Sequence, residues 1–133
     1  MSALAEHLRA LPDDQLAALI TLRPDLVVPV PGDFSALAAR AQSRLSVARA
    51  LDGLDRFTLE VLDAIRLGDG ARSIESLLML TAQSGVDAAE VRAAVQRLRD
   101  RAVVYGSDDA LHVVRCLLQL HKDNVQGPHG FCD

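Results

Sequence analysis

The chain has 133 residues, half of them apolar and about a quarter charged, with a formal net charge of −4. That length suits one domain burying roughly 70% of its unfolded surface, and the composition excludes a disordered or fibrous chain. With no Trp, one Tyr and three Phe, the core must be built from Leu, Val, Ile and Ala, which favours helices.

Ser2 is placed to cap a first helix presenting Leu4, Leu8 and Leu11, and Pro12-Asp13-Asp14 to open a second presenting Leu16, Leu19 and Ile20. Arg23-Pro24 ends it. The run 24-PDLVVPVPG-32 holds three prolines, each removing a backbone donor, and reads as an extended connector. Asp33 caps a third helix with Leu37, Ala38, Ala41 and Leu45 inward, and Ser46 begins a short fourth through Val47, Ala50 and Leu51, closed by Gly53. These four make an amino-terminal helical bundle over 1–54, packed on the second half of the chain.

Asp55 caps a helix with Phe57, Val61, Ala64 and Ile65 on one side and Arg56, Glu60 and Asp63 opposite, ended by Gly68-Asp69-Gly70. Ser73 and Glu75 open another with Ile74, Leu77, Leu78 and Thr81 inward, and Gln83-Ser84-Gly85 makes a turn. Asp87 and Glu90 have capping-box spacing, Val86 and Val91 that of a hydrophobic staple, and Val91, Ala94, Val95, Leu98 and Ala102 face inward. The period then changes: 103–106 and 110–114 are strand-like around Ser107-Asp108-Asp109. The expected fold is mainly α, the helical bundle being followed over 55–114 by a winged helix-turn-helix with a small two-stranded β-hairpin. Residues 115–133 are expected to form a closing helix from 114–122 and a mobile tail.

Beyond this pattern, 11-LPDDQLAALITLRPDL-26, the Pro-rich link and 47-VARALDGLDRFTLEVLDAI-65 resemble the amino-terminal winged-helix region of actinobacterial helicase-associated proteins, which are related to the carboxy-terminal part of XPB-type helicases. The segment 102-AVVYGSDDALHVV-114 fits the same pattern. The resemblance spans most of residues 1–114 and implies a DNA-binding role. It brings no motor, because the chain has no GKT or GKS phosphate loop. After Val114 the chain departs from the family.

In a winged helix the exposed face of the third helix enters the major groove. Arg92, Gln96 and Arg99 are spaced four and three apart on one stripe, with Arg97 and Arg101 on its neighbour. The first three are candidates for base edges or phosphates, the other two for backbone anchors. The alternative is a solvated arginine-rich face balanced by Glu90 and Asp100. Charge opposes DNA: residues 55–114 carry a net −3, and Asp108 and Asp109 sit at the wing tip.

No convergent catalytic set is present: there is no GxSxG, no HExxH and no glycine-rich phosphate loop, so neither an enzyme nor a cofactor is expected. Cys116, His121, His129 and Cys132 are zinc-ligand types, but their spacing matches no zinc-finger pattern. The two cysteines are expected as free thiols. The segment MSALAEHLRA mixes acid and base without a long apolar run, so a cytoplasmic protein with no signal peptide, membrane span or membrane partner is expected. Two functions are compatible with these features, the first being the expected one and the second its alternative. One is a non-catalytic DNA-binding or DNA-associated accessory module whose partner is duplex DNA. The other is a protein-interaction module, a homodimer or part of a larger complex, that keeps the winged-helix plan without nucleic acid.

Overall fold

Short polar side chains start most of the helices. The computed structural model describes residues 3–67, 71–114 and 117. It contains α1 (Ala3–Ala10), α2 (Asp13–Leu22), a 3-10 turn (Pro24–Val27), α3 (Phe34–Ala41), α4 (Arg44–Asp52), α5 (Arg56–Arg66), β1 (Ala71–Arg72), α6 (Ile74–Ala82), α7 (Ala88–Asp100), β2 (Val104–Ser107) and β3 (Ala110–Val113). Asp33 accepts from the Ala36 N–H at 2.8 Å, Asp55 from Thr58 at 2.8 Å, Ser73 from Ser76 at 3.0 Å and Asp87 from Ala89 at 3.0 Å. Each bond satisfies a donor that the first helical turn leaves open. Ser2 and most of 115–133 lie outside the described residues.

Three expectations in the first half are corrected. Ser46 does not begin α4: Ser43 caps it, and Ser46 is a buried residue inside the helix. Leu45, expected inward on the preceding helix, belongs to α4 and is largely exposed. The connector after Arg23 is not extended throughout, since Pro24–Val27 closes into a 3-10 turn and buries Leu26. Proline suits this opening because its fixed φ fits the first helical position, where its missing N–H costs nothing.

The second half runs α5, β1, α6, α7, β2, β3. β2 and β3 are antiparallel, with Val104 opposite Val113 and Ser107 opposite Ala110. β1 adds to the other side of β3, Ala71 opposite His112, so the sheet order is β1-β3-β2. The hairpin expected from the sequence is therefore part of a three-stranded sheet in a mainly helical fold.

One apolar cluster runs through the described residues, from Leu4 and Leu8 of α1 through Leu19, Leu37 and Val47 to Ile65, Leu77, Leu98 and Leu111. α1 packs on α3 and β2, and α2 on α7, so the amino-terminal helices share the core of the second half. Leu117, beyond β3, is also buried in it.

Arg23 pins this seam. It is 1% exposed and holds a charge inside the core by donating to three oxygens: the Arg101 carbonyl at 2.7 Å, the Ala41 carbonyl at 2.7 Å and the Ser46 hydroxyl at 2.8 Å. Ser46 in turn donates to Asp25 at 2.6 Å. The two carbonyls lie at the ends of α7 and α3, where helix acceptors are open and the macrodipole favours a cation. Burial pulls the Arg23 pKa down to about 10, opposed by Asp25, so the guanidinium stays charged at neutral pH. At the α7 end, Val103 N–H bonds the Leu98 carbonyl at 3.3 Å and Ala102 N–H the Arg99 carbonyl at 3.0 Å. This is a Schellman closure with Ala102, at φ 56°, in the left-handed position.

Candidate functional site

Arg92 and Gln96 are exposed on α7, whereas Arg99, expected on the same exposed stripe, is largely covered, and most of the polar groups are already used. Arg92 is exposed and has no polar partner among the described residues. Gln96 donates its amide to Asp100 at 2.8 Å. Arg99 pairs with Asp108 of the β2–β3 turn at 2.8 Å, its side chain is four-fifths covered, and its Nε is buried without a partner. Arg97 donates to the Thr58 hydroxyl at 3.2 Å and lies 3.9 Å from the Asp55 carboxylate. Arg101 donates to the Arg97 carbonyl at 3.1 Å. Of the five residues, Arg92 and Arg101 have no carboxylate partner among the described residues, and the Arg92 side chain has no polar partner there at all.

These contacts come from α5 and from the β2–β3 turn. Thr58 faces the core from α5, and Arg97, still partly exposed, reaches its hydroxyl and the Asp55 cap. Hydrogen bonds from Thr58, hydroxyl first and backbone second, hold the Asp55 carboxyl below the usual range, with Arg97 adding to them. The β2–β3 turn is short and folds back: the Ile74 N–H bonds the Asp108 carbonyl at 2.8 Å, while the Asp108 carboxylate holds Arg99. The acidic tip thus neutralises the arginine it would need to release for a phosphate.

A cavity of about 330 Å³ opens where α1 and α2 meet α7 and the β2–β3 turn. Its wall includes His7, Gln15, Gln96, Arg99, Asp100 and Asp108, with Leu11, Ala18, Leu19 and Gly106 supplying apolar surface. Beside it, the His7 ring lies 5.7 Å from Tyr105, which lies 5.5 Å from His112. Burial, and then Arg99, keep the His7 pKa below its ordinary value. His7, Gln15 and the cavity carry no signal in the sequence, because the lining comes from three separated segments with no shared spacing.

A second surface is apolar. In α6 (IESLLMLTA), Ile74 and Leu77 face the core, yet Met79 is 68% and Leu80 46% exposed. Beside the exposed Glu75, α6 thus leaves two large apolar side chains open to solvent.

Among the described residues no group of three or more His, Cys, Asp or Glu is arranged to hold a metal ion, and no helix is long and apolar enough to cross a membrane. Cys116, His121, His129 and Cys132 fall outside those residues. In comparisons with known proteins, no family model matches the chain, and neither a curated protein nor a solved structure matches it.

Proposed function

We propose that this chain is a non-catalytic protein-interaction module on a winged-helix plan, which dimerises through the outer face of α6. The element order and the β1-β3-β2 sheet favour the winged-helix reading of 55–114. The observation that carries the function is the state of α7: Gln96, Arg97, Arg99 and Arg101 bond within their own chain, and α2 packs across the same helix. The negative balance of 55–114 points the same way, since phosphate binding draws its affinity from surplus base. Met79 and Leu80 supply the apolar contact, and one helix face meets its own copy across a two-fold axis without any complementary second surface. The resemblance of 11–26 and 47–65 to helicase-associated proteins supports a place in a DNA-processing assembly.

The test is light scattering with DNA titration. The expected result is a mass of two chains that falls to one in the Met79→Glu, Leu80→Glu double variant, with no anisotropy change for random duplex at about 50 mM salt. A monomer at all concentrations overturns dimerisation.

Duplex binding is the second reading, favoured by the uncommitted Arg92 together with the helix order. It predicts affinity that falls steeply with salt and weakens in an Arg92→Ala, Arg99→Ala double variant. Binding that ignores this change removes α7 from the contact.

A further inference from the structure

The cavity at the seam has the features of a ligand site rather than of a packing defect. It lies between two parts of the fold, falls in the size range of small-molecule pockets, and sets apolar surface from Leu11, Ala18 and Leu19 among more numerous polar side chains. A void left by poor packing would be lined by side chains that have nothing to offer a guest. Here Gln15, Gln96 and Ser107 bring amides and a hydroxyl, and Leu11 and Leu19 bring hydrocarbon.

The charges on its wall decide the class of guest. Arg99 is spent on Asp108 at 2.8 Å. Among the described residues, Asp100, at an exposed position, meets only the neutral Gln96 amide, at 2.8 Å from one of its oxygens. His7 adds no charge at neutral pH, because burial and Arg99 hold it deprotonated. Among the described residues the wall therefore carries one carboxylate without a cationic partner, next to apolar surface. That combination suits an ammonium or guanidinium head on a short hydrocarbon body, and it repels an anion.

We propose that the seam cavity binds a small organic cation, its charged head on Asp100 and its alkyl body over Leu11, Ala18 and Leu19. Such a guest touches α2 and α7 together and ties the amino-terminal helices to the second half. The site is independent of the α6 face, so dimerisation and cation binding stand or fall separately.

Calorimetric titration of the full chain with agmatine and putrescine, against 1,4-butanediol and glutarate, tests it. The expected result is one site per chain with a Kd on the order of 1 mM for at least one of the two cations, and no heat from the neutral or anionic compounds. Asp100→Asn should weaken binding at least about tenfold, because only the charge is removed. Ala18→Met should also weaken it by narrowing the cavity from a solvent-facing position, with far-UV circular dichroism confirming that both variants are folded. Equal binding of the diol or glutarate, undiminished binding to folded Asp100→Asn, or no heat from either cation overturns the proposal.

Discussion

Arg23 shows how one side chain decides the architecture. In the sequence it marks only the end of a helix before a proline, yet its three donated bonds tie α2 to the ends of α3 and α7. The adjoining residues act with it: Asp25 accepts from Ser46, and Leu26 is buried. The Arg-Pro-Asp-Leu run thus has a structural task. Arg23→Met should lower unfolding free energy by about 3 kcal/mol, because the carbonyls of Arg101 and Ala41 lose a buried donor and Asp25 keeps its charge. Arg23→Lys should recover only part of this, since an ammonium on a flexible stem cannot hold the fork geometry. Urea titration checks both, and a loss under about 1 kcal/mol for Arg23→Met would show that the network adds little. His7 makes a prediction about pH. It binds a proton less readily when folded than when unfolded, so its contribution is complete above the ordinary value of 6.5 and is lost as pH falls through the lowered folded value. The urea midpoint of the native chain should drop between about pH 7 and 5, and His7→Phe, which keeps a ring beside Tyr105, should make that drop shallower.

Among the elements, those with local causes are legible in the sequence. Asp33, Asp55, Ser73 and Asp87 cap the helices assigned to them, because a cap needs only two or three neighbouring residues. The start of α4 is not legible, since Ser43 and Ser46 are both capable caps and the choice is made by Asp25, twenty-one residues from Ser46 along the chain. β1 is hidden for a similar reason: two residues have no period, and pairing with β3 comes from a distant part of the sequence. The α7 stripe is legible as spacing, but its partners are not, because Thr58 lies 39 residues from Arg97. The hairpin offers its own test at Gly106, where φ is +103° and an added Cβ would meet the Ala110 carbonyl oxygen at 2.4 Å. Gly106→Ala should cost about 2–4 kcal/mol, combining an unfavourable φ with a clash against backbone. Gly85 has φ +75° but open space around it, so Gly85→Ala should cost only about 1 kcal/mol. Equal losses in urea titration would show that the approach to Ala110 relaxes without penalty.

At the scale of the molecule, the boundary expected near residue 54 does not divide the core. α1 lies on β2, α2 on α7, and Arg23 bonds to both sides, so opening the seam exposes Leu4, Leu8 and Leu19 along with Leu98. No small cost separates the halves, and they should unfold together. The chain carries its own probe for this, because Tyr105 is the sole tyrosine and there is no tryptophan. Its ring sits between His7 of α1 and His112 of β3, so tyrosine emission reports the seam, whereas far-UV circular dichroism reports helices mostly distant from it. The two signals should give coincident urea transitions with one midpoint and one slope. In Arg23→Met both should move by the same amount, since the residue acts on the shared core. An emission change that precedes the loss of helix would mean that α1 leaves the sheet while the rest stays folded, and the amino-terminal helices would then be a detachable cover over α7 and the seam cavity.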